Sequence, residues 1–347
     1  MSIYRKVLVM RLSALGDVAM AIPQVYSVCR NYPDITFVML TRRMSAGLFI
    51  NAPANLQLYI AEVDARHRGV RGLILLYKEL CRLGIDAVAD LHDVVRTRFI
   101  RIMFRLTGKP VFVIDKGRAG KRRLTSRYNK KLVQLKSSVQ RYAEVFDKMN
   151  LPYHFHFDSL YFAGKGDAGL FSQVVAPKTI GEKWVGIAPF ARHAGKIYPV
   201  EQMEEVVRML SSVPSVRIFL FGTANDSAVL NKWENRFSNV ISLAQSRLGF
   251  AVELSLISHL DVMLSMDSAN MHLASLVAVP VVSVWGATHP YAGFLGYAAR
   301  QDLEVQVNLQ CRPCSIFGNK PCFRGDYACL HNITPQMIVE KVLSVIR

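Results

Sequence analysis

Residues 6–30 read KVLVMRLSALGDVAMAIPQVYSVCR. The apolar run Lys6–Leu12 predicts a short buried strand and Ser13–Gly16 a turn. A helical pattern then runs to Arg30, with Pro23 marking a kink or a late start. Ile35–Leu40 (ITFVML) is β-rich again, and strand, helix and strand at this spacing pair in parallel. The rhythm continues with strands at Leu56–Ile60, Asp86–Leu91 and Val111–Ile114 and helices at Gly72–Leu83 and Val94–Leu106. A second series has strands at Trp184–Ala188, Val216–Phe221, Asp261–Ser265 and Val281–Trp285. Its helices are Val200–Leu210, Ser227–Phe237, Phe250–His259, Ala269–Ala278 and Thr334–Ile346. The fold class is therefore α/β. Gly164–Lys183 is rich in Gly and Lys and poor in pattern, so the boundary falls there. This gives a first domain of residues 1–165, a linker of 166–183 and a second domain of 184–347, with a ligand cleft expected between the domains.

The composition suits such a fold. The 347 residues are 51% apolar and 20% charged, enough for large cores and unlike a disordered chain. Lys and Arg number 43 against 26 Asp and Glu, a net charge of +17 that points to an anionic partner: nucleic acid, phosphorylated sugar or lipid, or an acidic membrane face. No uninterrupted apolar run approaches the roughly 18 residues of a spanning helix. The apolar start is broken by Arg11 and Asp17 and lacks a small-residue cleavage site, so it reads as fold rather than secretion signal, and a cytoplasmic location is expected. Between Arg96 and Arg141 stand 15 Lys or Arg residues and one acid, Asp115. Within this stretch, residues 115–131 (DKGRAGKRRLTSRYNKK) read as a loop, mobile until a ligand orders it. His154 and His156 alternate in YHFHF as in a strand, and Cys29 and Cys81 sit in apolar helical patterns as core.

Three strand-to-helix junctions carry chemistry. In the first, Ser13-Ala14-Leu15-Gly16-Asp17, Asp17 lies in the first helical turn. It either satisfies free N–H groups and the helix dipole or faces the cleft as a general base, with Ser13 and Gly16 letting substrate approach the backbone. In the second, Ala188-Pro189-Phe190-Ala191-Arg192-His193-Ala194-Gly195-Lys196, the loop occupies a phosphate-binding position to which Arg192 and Lys196 add charge; the other reading is a solvated basic loop. It is not a GxxxxGK[ST] motif. In the third, Met266-Asp267-Ser268-Ala269-Asn270-Met271-His272, Asp267 or Ser268 can cap the next helix, with His272 one turn in; Asp267 is a cap or a ligand, and His272 a bonded core histidine or a neighbour of that ligand.

Taken together, RLSALGDVAMAIP, IAPFARHAGKIYP and DSANMHLASLVAVPVVSVWGATHP make most of the chain resemble the heptosyltransferases of glycosyltransferase family 9. Family members usually have Gly where this chain has Ala269, and Phe or Tyr where it has Trp285. The resemblance implies a GT-B fold, two Rossmann-like domains with parallel sheets facing across a cleft, the acceptor mainly on the first and the nucleotide-sugar donor mainly on the second. The last helix is allowed to pack back on the first domain. The implied activity is inverting transfer of heptose from ADP-heptose to an inner-core lipopolysaccharide acceptor. By position, Asp17 resembles the catalytic base and Lys196 the residue that neutralises the departing diphosphate without a metal. Asp267 resembles the residue that binds donor-sugar hydroxyls, with Ser268, His272, Arg192 and His193 nearby. In FLFGTANDS, Asp226 resembles a ribose contact. Arg118, Lys121, Arg122 and Arg123 are assigned to the anionic, lipid-linked acceptor at the inner membrane's cytoplasmic face, which makes the protein peripheral to that membrane. The basic stretch has a solvated-face reading as well.

No cofactor is required on this reading, because the ADP-sugar is a substrate. Cys311-x2-Cys314-x7-Cys322-x6-Cys329 has spacing compatible with structural zinc, but reduced thiols or a local disulfide are the preferred reading. No nucleic-acid partner is expected, since no RNA-binding motif surrounds the aromatic residues. A monomer is expected. The rival readings are a family-9 transferase using another nucleotide sugar and a non-catalytic nucleotide- or nucleic-acid-binding protein.

Overall fold

The computed structural model describes residues 4–162, 164–246 and 248–347. The chain forms two compact units: Met1–Lys116 with Ser137–Leu160, and Gly117–Lys136 with Tyr161–Arg347.

The first unit holds five parallel strands, β1 (Lys6–Met10), β2 (Thr36–Thr41), β3 (Leu56–Ile60), β4 (Ala87–Asp90) and β5 (Val111–Val113), in the order β3-β2-β1-β4-β5. Val7 pairs with Phe37 on one side and with Ala87 on the other. Val7, Leu8, Val9 and Met10 are all fully buried, as expected of a central strand covered on both faces, and such a strand reads as a continuous apolar run. One face packs Leu8, Met10, Val38, Leu40 and Val88 against Leu73, Leu76 and Leu80 of helix Gly69–Arg82 and against Ile100 and Phe104 of helix Val95–Leu106. Each such side chain contributes about 1.5–3 kcal/mol on full burial. The strand order runs outward from β1 to β3 and then jumps back across β1 to β4. The β1–β4 boundary is therefore a switch point, where the connections leave in opposite directions and open a crevice at the carboxyl ends.

The second unit repeats the design with six parallel strands, β6 (Lys183–Ala188), β7 (Val216–Leu220), β8 (Val240–Ser242), β9 (Val262–Met266), β10 (Val281–Val284) and β11 (Glu304–Val305). Their order is β11-β10-β9-β6-β7-β8, which puts its switch point between β6 and β9. Val185 pairs with Ile218 of β7 and with Val262 of β9.

Several expectations change here. Pro23 lies inside a helix that already starts at Leu15, so the late start is excluded. Residues 115–131 contain a helix, Arg118–Leu124, and from Gly117 onward group with the second unit, not the first. Lys130 Nζ donates to the carbonyls of Cys311 (2.6 Å) and Pro313 (2.8 Å), the Leu135 amide donates to the Tyr291 carbonyl, and Lys121 lies over the Phe294 ring. Residues 166–183 are not a free linker. Phe171 packs edge-on against Trp184 and His259, and the Gly166 amide donates to Ser258 Oγ. The last helix, Pro335–Ile346, buries Ile338, Val339, Val342 and Ile346 in the second unit's core. His154 and His156 are not in a strand. Their backbone groups bond to Ser27, Arg30 and Asn31 of helix Leu15–Asn31, which serve in place of a ladder. Cys29 is buried, but Cys81 is exposed. A helix at Ser138–Lys148 was not anticipated. Its capping box is legible afterwards: Gln140 N–H donates to Ser137 Oγ, and Ser137 N–H donates to Gln140 Oε1.

Candidate active site

The first unit presents one group of polar side chains at its switch point. Asp17 is the third residue of helix Leu15–Asn31, and its carboxylate accepts from the Ala14 amide at 3.2 Å, so the capping reading holds. It also forms an ion pair with Arg11 at 2.6 Å. Arg11 follows β1 and is only 6% exposed; it donates to the Leu91 carbonyl at 2.7 Å and lies over the Tyr142 ring. Asp17 itself stays partly open, with its side chain 27% exposed. One group therefore caps the helix and keeps a solvent-facing carboxylate whose orientation is fixed by a buried cation.

Sequence reasoning missed Arg11 and His92. Both follow the carboxyl ends of the two strands that flank the switch point, which is the signal that could have found them. His92 Nδ1 accepts from the Leu12 amide at 3.3 Å. Burial, reinforced by the charges of Arg11 and Lys116, pushes its pKa down to about 3, so it is neutral at pH 7. The neutral ring must then carry its proton on Nε2, which donates to Ser13 Oγ at 3.4 Å. Behind it, Asp90 accepts from the His92 and Asp93 amides and from Arg101. Burial alone would raise the Asp93 carboxyl; the Arg98 bond, with Arg101 and Lys116, holds it at about 2 instead.

The His92 shift fixes a pH dependence. Its folded pKa lies below the ordinary imidazole value of 6.5, so between about 3 and 6.5 the unfolded chain binds more protons. His92 thus contributes stability that is complete above pH 6.5 and is lost as the pH falls. Chemical denaturation at pH 7.5 and pH 5 is expected to show a loss on the order of 2 kcal/mol, and a His92→Asn variant a smaller difference between the two pH values.

The second unit presents Lys196 and Asp267 at its own switch point. The loop after β6 brings Lys196 to 2.8 Å from the carboxylate of Asp267, the residue after β9. Asp267 is 4% exposed and the Lys196 side chain 15%. The contact matches charge without an aligned hydrogen bond to Asp267 Oδ2, so that oxygen keeps accepting capacity inside a buried pair. Two glycines make room. The Gly195 amide donates to the Gly318 carbonyl, and a Cβ on Gly195 would sit 2.8 Å from that oxygen. Gly318 has φ +72°, and a Cβ there would fall 2.6 Å from Lys196 Cγ. Nearby, the buried Arg312 donates to the carbonyls of Trp285, Gly286 and Thr288, pinning the turn after β10.

The other expected donor residues divide. Ser268 occupies the N-cap position of helix Ala269–Leu276 but caps nothing; its hydroxyl lies 3.2 Å from Ser265 Oγ. His272 is buried within that helix. Arg192 is exposed and His193 half-buried, in the loop that carries Lys196. Asp226 Oδ2 accepts from the amide and the hydroxyl of Thr223, both at 2.7 Å, so it shapes its own turn. Of the expected acceptor contacts, Ser13 and Gly16 adjoin Asp17, whereas Arg118, Lys121, Arg122 and Arg123 lie on a helix of the second unit. All six cysteines are free thiols. Among the described residues, no group of three or more His, Cys, Asp or Glu is placed to hold a metal ion.

Comparison with known proteins agrees with this layout. The family model described as glycosyltransferase family 9 (heptosyltransferase) matches residues 74–320. Lipooligosaccharide heptosyltransferase 2 of Campylobacter jejuni subsp. jejuni serotype O:2 is 21% identical over 342 residues, covering 96% of each chain. The crystal structure of a family 9 glycosyl transferase from Veillonella parvula DSM 2008 superposes with a TM-score of 0.75 at 16% identity, covering 99% of this chain and 97% of that one. The structure of E. coli ADP-heptose lps heptosyltransferase II superposes with a TM-score of 0.68 at 17% identity, covering 98% of each. The two parallel sheets are thus the Rossmann-like pair of a GT-B fold. With a family match across well over half its length, the chain belongs to glycosyltransferase family 9, the heptosyltransferases.

Proposed function

We propose that this glycosyltransferase moves heptose from ADP-heptose to an inner-core lipopolysaccharide acceptor in one inverting displacement. The acceptor oxygen attacks the anomeric carbon, the bond from that carbon to the diphosphate breaks, and ADP departs. Asp17 takes the acceptor proton, as its partly open carboxylate and fixed orientation suit it to do. Lys196 offsets the charge that builds on the leaving diphosphate. Asp267 accepts donor-sugar hydroxyls, with Ser268, His272, Arg192 and His193 around it and Asp226 toward the ribose. Ser13, Gly16, Arg118, Lys121, Arg122 and Arg123 meet the acceptor. On this reading residues 184–347 hold the donor, residues 1–165 the bulk of the acceptor, and the protein works as a monomer in the cytoplasm, peripheral to the inner membrane. Among the described residues no helix is long and apolar enough to cross a membrane.

The observation that carries the reading is the buried Lys196–Asp267 pair at the β6–β9 switch point. A cation beside a carboxylate with unused accepting capacity suits a ligand that brings a diphosphate and sugar hydroxyls together. The heptosyltransferase names of the relatives add the sugar. A panel of nucleotide sugars read by melting temperature tests it. ADP-heptose is expected to raise the melting point most, through about 2.7 kcal/mol of stabilisation at a hundredfold excess over Kd. A preference for a uridine or guanosine donor would remove the heptose assignment and leave a transferase with another donor.

A further inference from the structure

Helix Val95–Leu106 (VRTRFIRIMFRL) has an outward face that the transfer reaction does not use. Its inward face buries Thr97, Ile100 and Phe104. At about 100° per residue, Val95, Phe99, Ile102 and Leu106 fall within an arc of about 60° on the opposite side. This second stripe is open to solvent: Val95 is 81% exposed, Ile102 52% and Leu106 76%, with Phe99 half-buried. A solvated helix in a globular domain ordinarily carries polar residues there. Cations border the stripe instead. Arg96 lies on one side and Arg98 and Arg105 on the other, with Lys109 just beyond the end. Arg98 and Arg101 are tied to Asp93 and Asp90, whereas Arg96 and Arg105 are exposed. No acid occurs from residue 94 to residue 114.

The geometry points to this helix as the surface by which the protein docks on an anionic lipid bilayer, lying in the headgroup layer with its apolar stripe inserted and its arginines on the lipid phosphates. An apolar stripe bordered on both sides by arginine is the signature of a helix at a membrane surface. A second protein would have to bring its own apolar stripe flanked by acids. This chain, at +17 overall, is poorly suited to be its own partner. The inference gives the peripheral location a surface, and it stands or falls apart from the transfer reading because vesicle binding needs neither substrate.

Sedimentation of the full chain with phosphatidylcholine vesicles, with and without phosphatidylglycerol, tests it. Binding is expected only when phosphatidylglycerol is present. Ile102→Asp with Leu106→Asp is expected to weaken it by more than about tenfold. Arg96→Gln with Arg105→Gln is expected to weaken it about thirtyfold, at about 1 kcal/mol per charge. Both substitutions sit on the exposed face, and an unchanged melting temperature checks the fold. The pair Arg122→Gln and Arg123→Gln, on the other unit, is expected to keep most of the binding. Three results would overturn the proposal: stripe variants that bind like the parent, loss confined to the Arg122/Arg123 variant, or a dimer in solution that the stripe variants dissolve.

Discussion

Asp17→Asn is expected to lower kcat about 10²–10⁴-fold while leaving ADP affinity unchanged, the range that general-base catalysis supplies. Asparagine is nearly isosteric and still offers an oxygen to the Ala14 amide, so the helix cap survives. What disappears is the basic carboxylate and the counter-charge of Arg11. That guanidinium is buried and would keep its carbonyl partner, its place over the Tyr142 ring and the charge of Asp90. Removing one member of a pair this enclosed costs up to about 3 kcal/mol. The loss of activity must therefore be separated from a loss of fold. Asp17→Asn combined with Arg11→Met removes both charges and is expected to recover most of the stability without recovering the rate. Single-turnover kinetics and urea denaturation on the same two proteins distinguish the cases. If Asp17→Asn retains full turnover, Asp17 is a cap alone.

Lys196→Met is expected to damage both stability and chemistry. Asp267 is only 4% exposed, and Lys196 is the cation within 2.8 Å of it. Its removal leaves a buried carboxylate uncompensated, a change worth about 3–5 kcal/mol. The rate is expected to fall by a further 10²–10³-fold, the size of a lost charge-stabilising donor at a leaving group. Adding Asp267→Asn removes the orphaned charge. The double variant is expected to melt within a few degrees of the parent yet turn over as slowly as the single one, with weakened donor binding. A double variant restored in rate would show that the pair is structural only.

Most of the strand framework was legible because a parallel strand covered on both faces is apolar almost throughout, as KVLVM, TFVML and VMLSM are. β8 and β11 escaped for the same reason in reverse. They are edge strands of three and two residues, too short to show a period. Helix Ser138–Lys148 was lost behind the basic stretch that precedes it, although its Ser137–Gln140 box was present. The grouping of Gly117–Lys136 with the second unit was not legible because composition cannot see long-range anchors such as Lys130 on the Cys311 and Pro313 carbonyls. In the site, Lys196 and Asp267 stood out because each follows a strand at a place where phosphates and sugars bind. Their direct pairing was not legible, since 70 residues of chain separate them. Arg11 and His92 stayed hidden because a polar residue next to an apolar run looks like the end of a strand, and only the sheet order shows that both ends meet at one crevice.

The assignment meets its most direct test in one reaction. The full chain, ADP-heptose and a lipopolysaccharide acceptor lacking heptose are mixed, nucleotide release is followed, and the anomeric configuration of the product is read by NMR. ADP and heptosylated acceptor in equal amounts, with the donor's anomeric configuration inverted, are expected. Retained configuration, release of ADP without a sugar product, or turnover confined to a different nucleotide sugar would contradict it.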